Sequence, residues 1–146
     1  MTPISVQRWH GLKVTESPVF KRVLVVDDND YYAEQLMADL VSRGAVCERA
    51  HSASEGIAML NEDAARFDAV ITDISMETEL AGLRVLRHVR RIAFAGQVGT
   101  ATTALDARWA FTLNRFFLGV IYQADYLIPK RPITQKGEVL WIRVGN

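Results

Sequence analysis

The sequence is poor in cysteine and has no surplus of charge of either sign. Its one cysteine, Cys47, cannot form an internal disulfide, which is typical of a protein from a reducing compartment, so we predict a cytoplasmic location. Lysine plus arginine number 17, and so do aspartate plus glutamate, which gives a formal net charge of zero. This balance argues against direct binding of nucleic acid or of an anionic membrane surface.

Two further absences narrow the class of protein. Residues 1–20 contain no continuous apolar run, so they resemble neither a secretory signal nor a membrane anchor, and we interpret them as an N-terminal extension of a domain at residues 21–146. The three histidines are scattered and do not indicate a zinc cluster. A local basic run at residues 84–91 has helical spacing and is typical of a solvated outer face.

The hydrophobic pattern predicts strands that alternate with helices. Short apolar runs such as Val23–Val26 have no polar face, which is typical of strands buried on both sides in a parallel sheet. We therefore predict an α/β protein in which a five-stranded parallel sheet lies between two layers of helices. The predicted strands are Val23–Val26, Val46–Ala50, Phe67–Thr72, Val98–Thr102 and Tyr126–Ile128; the predicted helices run from Asn29 or Asp30 to about Arg43, from Ser52 onward, over Gly82–Arg91, over Asp106–Leu118 and from near Thr134.

Polar residues follow four of the five predicted strands. Asp27 and Asp28 follow the first strand, Asp73 the third, Thr102 and Thr103 end the fourth, and Lys130 comes after the fifth. The carboxyl ends of parallel strands lie at one edge of a sheet, and ligands bind beyond that edge. The sequence therefore predicts that three carboxylates, a hydroxyl pair and an ammonium group converge.

Such a set of side chains favours one kind of chemistry. Three crowded carboxylates stay ionised only when a cation neutralises them, and ligands that are all oxygen suit Mg²⁺ or Mn²⁺ better than zinc. A cation there would let an electron-rich phosphoryl group approach a carboxylate, while a lysine and a hydroxyl could bind the remaining phosphoryl oxygens.

The residues that carry this chemistry resemble the receiver domain of bacterial response regulators, the phosphoacceptor domain of two-component signalling systems. The resemblance implies a flavodoxin-like, doubly wound fold and covers about residues 22–133. Each of the matching motifs alone is weak evidence for the family, but their occurrence together, in the family's order, is specific. The matching pieces are Val23–Asp28, Ile71–Met76 with Gly82 downstream, Thr102–Ala104, and Ala124–Leu127 through Lys130.

The resemblance also implies a role for each residue of the site. Asp73 would be the phosphoacceptor and would receive the phosphoryl group from a histidine kinase or a phosphotransfer protein. Lys130 would pair with the phosphoryl oxygens. The implied Mg²⁺ ligands are Asp28 and Asp73 directly, Asp27 through a water, and the backbone carbonyl of Ser75; the implied switch residues are Thr102 or Thr103, of which we prefer Thr102, and Tyr126.

The sequence departs from the family pattern at several points near the site. Glu77 stands where the family usually has proline, and the segment from Met76 to Gly82 is one residue longer than usual. The family normally has proline directly after the lysine, whereas Arg131 separates Lys130 from Pro132 here, so the family's backbone geometry at Lys130 is not assumed. The segment between Thr103 and Tyr126 is about one helical turn longer than is common, and this change falls on the output face.

We therefore predict a phosphorylation-controlled switch rather than a turnover enzyme, with slow self-phosphorylation and aspartyl-phosphate hydrolysis. The face made by the fourth helix, fifth strand and fifth helix would contact an output partner or a second copy. The alternative is a degenerate receiver that acts as a phosphorylation-independent interaction module. A phosphatase is disfavoured because Ser75 occupies the position where such enzymes need a second acid. The sequence leaves open whether the domain works alone or within a longer protein.

Overall fold

The computed structural model describes residues 8–9, 12–74, 81–102 and 123–144, without the side chains of Leu12 and Thr102. Within these ranges a central sheet carries helices on both faces. The elements, in chain order, are β1 (Arg8–Trp9), β2 (Leu12–Lys13), β3 (Arg22–Val26), α1 (Asp30–Ser42), β4 (Val46–Ala50), α2 (Ala53–Asp63), a 3₁₀ turn (Ala64–Arg66), β5 (Ala69–Asp73), α3 (Ala81–Arg91), β6 (Gln97–Thr102), β7 (Tyr126–Pro129), α4 (Arg131–Lys136) and β8 (Ile142–Arg143).

The central sheet has the strand order β4-β3-β5-β6-β7-β8. The strands from β4 to β7 pair in parallel, as predicted, and β8 pairs antiparallel with β7. The short strands β1 and β2 form a separate antiparallel pair. In the described part of the chain, no helix combines the length and the apolar character needed to cross a lipid bilayer.

The apolar run of β3 shows why the sheet is covered on both sides. Val23, Leu24, Val25 and Val26 all have 0% exposure. Leu24 and Val26 belong to the hydrophobic cluster that includes residues of α2 and α3, whereas Val23 and Val25 belong to the cluster that includes residues of α1. Because successive side chains of a strand point to opposite faces, one run of four apolar residues fills both cores.

Polar side chains cap the first two helices where the sequence predicts their starts. The Asn29 side chain accepts a hydrogen bond from the Tyr32 backbone N–H at 3.0 Å, and the Ser52 hydroxyl accepts one from the Glu55 backbone N–H at 3.0 Å. These contacts satisfy backbone donors that have no partner inside a helix. After α1 the chain turns at Gly44, whose φ of +93° suits a residue without a Cβ.

The C-terminal part of the fold differs from the prediction. The last helix begins at Arg131 rather than near Thr134, and Pro132 lies in its first turn, where a missing N–H costs no helical hydrogen bond. It ends at Gly137, which has φ +62°. The two-residue strand β8 then adds a sixth strand to the central sheet, which the sequence analysis missed. The predicted helix Asp106–Leu118 lies outside the described residues.

The segments before β3 and before β8 meet over α1. The Thr15 backbone N–H donates to the Trp141 carbonyl at 2.7 Å. The indole N–H of Trp141, a residue that is 1% exposed, donates to Oδ2 of Asp39 at 2.8 Å, and the Ser17 hydroxyl donates to the same oxygen. Asp39 therefore holds both segments against α1 with one carboxylate. The predicted domain boundary after residue 20 stays a prediction.

Replacement of Asp39 by alanine tests this junction. The Asp39→Ala variant leaves the buried indole N–H of Trp141 without its acceptor, and we expect the free energy of unfolding to fall by about 1–3 kcal/mol. Urea denaturation followed by circular dichroism measures the change. Glu34→Ala, on an exposed position of the same helix, is the matched control and should change stability by less than about 0.5 kcal/mol. Equal effects of the two variants would contradict the assignment.

Candidate functional site

Three carboxylates lie together at the carboxyl edge of the sheet. Asp27 and Asp28 follow β3 directly, and Asp73 is the last residue of β5. These neighbouring parallel strands are paired with Val26 opposite Thr72, so the acidic residues leave both strands at the same level. One oxygen from each of the three carboxylates lies within 4.8 Å of the other two. The three carboxylates therefore meet as the strand ends predicted.

Lys130 brings a positive charge to this cluster from the end of β7. Its Nζ lies 2.9 Å from Oδ2 of Asp73 and 3.8 Å from Oδ2 of Asp27. The same ammonium group lies 4.3 Å from the centre of the Tyr32 ring, at a distance typical of a cation–π contact. Lys130 therefore reaches the carboxylates although Arg131 separates it from Pro132.

Burial removes most of the hydration that would stabilise the charges of the cluster. Asp27 and Asp73 are each 3% exposed and Lys130 is 5% exposed, whereas Asp28 faces solvent. Loss of hydration raises the pKa of Asp27 above its ordinary value, and the neighbouring Asp28 raises it further. Lys130 and a 2.9 Å hydrogen bond from the Asn29 backbone N–H oppose this rise in pKa.

The cluster has the donor set of a site for a hard divalent cation. With all three aspartates ionised, three negative charges face the single ammonium group of Lys130. The oxygens of Asp27, Asp28 and Asp73 are ligands that Mg²⁺ and Mn²⁺ accept, whereas zinc favours nitrogen and sulfur. A divalent cation would stabilise the charged form of Asp27, whose pKa is raised mainly by burial and to a smaller extent by Asp28. The residues present therefore fit Mg²⁺.

Gly82 supports the site through its backbone, in a way that the sequence analysis did not identify. Its N–H donates to the Ile74 carbonyl at 2.8 Å, which joins the start of α3 to the residue after Asp73. A Cβ at position 82 would lie 1.9 Å from the Asp73 carbonyl oxygen and 2.6 Å from the Ile74 Cα. Only glycine permits this approach of the two backbones. The available signal was a glycine in the first turn of a predicted helix, where it weakens helix formation.

The other predicted site residues differ in how far they are described. Thr102 ends β6, one residue beyond the Ala101 that pairs with Asp73, so its backbone reaches the same edge of the sheet. Thr103, Ser75 and Glu77 lie outside the described residues. Tyr32, whose ring lies against Lys130, is a neighbour of the site that no sequence motif indicated.

Tyr126 begins β7, at the opposite end of that strand from Lys130. It is 7% exposed, and its ring packs edge-on against Phe20 and Trp141, at centroid distances of 6.4 and 5.7 Å. Its hydroxyl accepts a hydrogen bond from Nη1 of Arg143 at 2.8 Å. Tyr126 is thus enclosed by the segments that precede β3 and that form β8.

Comparison with known proteins identifies the class to which this fold and site belong. Residues 23–111, more than half of the chain, match the model of the response regulator receiver domain family. The chain belongs to this family of two-component signalling domains. The part of the chain that matches contains Asp27, Asp28, Asp73 and Thr102, whereas Lys130 lies beyond it.

Individual relatives agree with this assignment. A response regulator receiver protein from Anaeromyxobacter sp. (strain Fw109-5) is 36% identical over 89 residues, which are 60% of this chain and 36% of that protein. The chain thus spans about a third of the length of this curated relative. Among solved structures, the receiver domain of the Francisella response regulator 1452 has a TM-score of 0.62 and 24% identity, with 75% of this chain and 84% of that chain covered.

A second solved structure shares the fold. CheY of Borrelia burgdorferi, in a complex with CheX, BeF3 and Mg²⁺, has a TM-score of 0.61 and 20% identity, with 76% of this chain and 78% of that chain covered. These likenesses support the predicted doubly wound α/β sandwich.

Addition of one methyl group at Gly82 tests the contact between α3 and β5. In Gly82→Ala the new Cβ collides with backbone atoms, which cannot move aside as a flexible side chain can, and we expect a loss of about 2–4 kcal/mol in the free energy of unfolding. Gly44→Ala is the control: its Cβ meets nothing within 4 Å, so only the cost of a left-handed backbone remains, about 1–2 kcal/mol. A smaller loss in Gly82→Ala than in Gly44→Ala would refute the close approach.

The raised pKa of Asp27 predicts a pH-dependent effect of Asp27→Asn in metal-free buffer. Since the folded-state pKa lies above the unfolded-state value, the folded state binds the proton more tightly, and wild-type stability falls as the pH rises through the folded-state pKa. Asparagine avoids the buried charge, so the variant should be more stable than the wild type at pH 7, with a smaller gain near pH 4.

Thermal unfolding in the presence of a chelator, at several pH values, measures this difference. Asp63→Asn, at an exposed end of α2, is the control and should show no comparable gain at neutral pH. A variant of Asp27 that is less stable than the wild type at pH 7 would mean that the pairing with Lys130 outweighs the cost of burial.

Proposed function

We propose that this chain is a phosphorylation-controlled signalling switch in which Asp73 accepts a phosphoryl group in a Mg²⁺-dependent acidic pocket. The donor would be the phosphohistidine of a histidine kinase or of a phosphotransfer protein. The observation that carries the proposal is the 2.9 Å contact between the buried Asp73 and Lys130, beside the carboxylates of Asp27 and Asp28. Membership of the receiver domain family supports the same role.

The proposed transfer uses Asp73 as the nucleophile. One of its carboxylate oxygens forms a bond to phosphorus while the bond between phosphorus and the donor nitrogen breaks, and the leaving imidazole takes up a proton. The product is an acyl phosphate on Asp73. Lys130, already paired with this carboxylate, is positioned to bind a phosphoryl oxygen as negative charge accumulates there.

The metal-binding part of the proposal concerns four residues. Asp28 and Asp73 would hold Mg²⁺ directly, Asp27 through a water molecule, and Ser75 through its backbone carbonyl. Bound Mg²⁺ would supply charge neutralisation, which lets a negatively charged phosphoryl group approach a carboxylate. Burial raises the pKa of Asp27 although Lys130 and Arg49 lower it, so a divalent cation would add to the positive charge that keeps this carboxylate ionised.

The output would be a shift between two populations of conformers. We propose that Thr102, at the end of β6, senses the phosphoryl group, with Thr103 as the alternative, and that Tyr126 on β7 changes rotamer with it. A partner or a second copy would contact the face around β7. In the receiver domain family this behaviour is signalling rather than metabolic turnover, and a cytoplasmic location is part of the proposal.

Labelling with a small phosphodonor tests the function. With labelled phosphoramidate and Mg²⁺, the wild type should acquire one acid-stable, base-labile phosphoryl group, and Asp73→Asn should acquire none. Lys130→Ala should slow labelling by on the order of 10²-fold, as expected when one preorganised charge is removed from a phosphoryl site. Asp63→Asn is the control acid and should label normally, and a chelator should stop labelling of every variant.

A binding measurement separates this function from the alternative. Tryptophan fluorescence, measured during a Mg²⁺ titration with and without beryllofluoride, should change in the wild type and not in Asp73→Asn. If the wild type responds to neither ligand and acquires no label, the chain is a degenerate receiver that serves as an interaction module. Labelling that persists in Asp73→Asn would assign the acceptor to another residue.

A further inference from the structure

Helix α3 carries a concentrated positive charge in a chain of zero net charge. It contains four arginines and no acidic residue. Arg84, Arg87 and Arg91 are exposed and follow the spacing i, i+3, i+7, so they lie on one side of the helix and span about 10 Å of its length. We refer to these three residues as the arginine stripe.

The arginine stripe borders a groove between α2 and α3. The groove has a volume of about 230 Å³ and is lined by the stripe together with His88 and, from α2, Ile57. At one end, Nη2 of Arg84 donates to the Ser54 hydroxyl at 3.3 Å. The groove therefore combines a row of guanidinium groups with an apolar side chain.

The described part of the chain does not neutralise this charge. None of its acidic residues forms an ion pair with the arginine stripe, although they pair with other arginines: Glu48 lies 3.4 Å from Arg22 and 3.0 Å from Arg66, and Asp30 lies 2.7 Å from Arg49. Three like charges on one helix face repel one another, and no acidic residue in the described ranges offsets this repulsion through an ion pair.

The helix dipole stabilises only the part of the arginine stripe that lies near the C-terminal end of α3. A positive charge near the C-terminal end of a helix is favourable, which covers Arg91. Arg84 lies in the first turn of α3, where the dipole disfavours a positive charge. Among the described residues, the position of Arg84 is therefore opposed both by the dipole and by the like charge of Arg87, and a negatively charged ligand would offset both effects.

We propose that the groove between α2 and α3 binds an acidic, helical segment of a partner protein. Carboxylates spaced three and four residues apart on such a helix would match the arginine stripe in length, and an apolar residue beside them would contact Ile57. The volume is below the roughly 300–1,000 Å³ that is usual for small-molecule pockets. The zero net charge of the chain disfavours a nucleic acid. The proposal does not depend on phosphorylation of Asp73.

The test uses the full chain, labelled with ¹⁵N, and two synthetic peptides of identical composition. In the first peptide, glutamates spaced three and four residues apart form one face of an amphipathic helix with leucines beside them; in the second they are spread around the helix. We expect saturable amide shifts at residues 84–91 and at Ile57 with the first peptide, and an affinity at least about tenfold higher than for the second.

Charge-reversal variants show whether the arginine stripe is responsible. Arg87→Glu/Arg91→Glu should weaken binding of the first peptide by at least about tenfold, whereas Arg43→Glu, at an exposed position after α1, should leave it unchanged. Higher salt should weaken binding by the wild type, because exposed charges are screened beyond about 10 Å at 0.1 M. Since the replaced side chains are exposed, the variants should remain folded, which thermal unfolding checks; Arg87→Gln/Arg91→Gln provides a milder pair with the same expected loss of binding.

Several results would overturn the proposal. These are a lack of saturable binding at low salt, equal affinity for the two peptides, or an equal loss of affinity in Arg43→Glu. Inorganic pyrophosphate serves as a competitor: if it occupies residues 84–91 more tightly than the first peptide, the groove is a site for small anions instead.

Discussion

The structure depends on three buried charges that are held together at one edge of the sheet. Asp27 and Asp73 are almost completely removed from water, and Lys130 is the ammonium group that contacts both. Such a group of charges destabilises a fold unless its geometry is fixed, because each ion loses its hydration. Here the geometry is fixed by β3, β5 and β7, whose residues are largely buried. The strands β3 and β5 pair directly, and β6 connects β5 to β7, so that their carboxyl ends lie at one edge of the sheet.

The predicted part of this arrangement followed from local patterns. A strand with two apolar faces must be covered on both sides, so the run Val23–Val26 was sufficient to indicate a parallel sheet. Once the sheet was parallel, the residues after its strands had to share an edge, which brought Asp27, Asp73 and Lys130 together without knowledge of a single distance. The insertion of Arg131 after Lys130 did not alter this, because the strand end and not the following residue determines where Lys130 emerges.

The missed part consists of contacts between residues far apart in the sequence. The strand β8 has two residues and no alternating pattern, so only its pairing with β7 defines it. Nothing near Asp39 indicates that it accepts hydrogen bonds from both Ser17 and Trp141. The role of Gly82 was likewise hidden, because a glycine in a helix pattern gives no information about the backbone that approaches it.

These distant contacts surround the strand that leads to Lys130. Lys130, which pairs with Asp73, follows directly after β7, and Tyr126 begins the same strand. Tyr126 is opposite Arg143 in the pairing of β7 with β8, and its ring lies against Phe20 and Trp141. A phosphoryl group on Asp73 would compete with the carboxylates of Asp73 and Asp27 for contact with the ammonium group of Lys130. Under the proposed function, a shift of Lys130 would therefore act on the strand whose other end carries the packing of Tyr126 against Phe20 and Trp141.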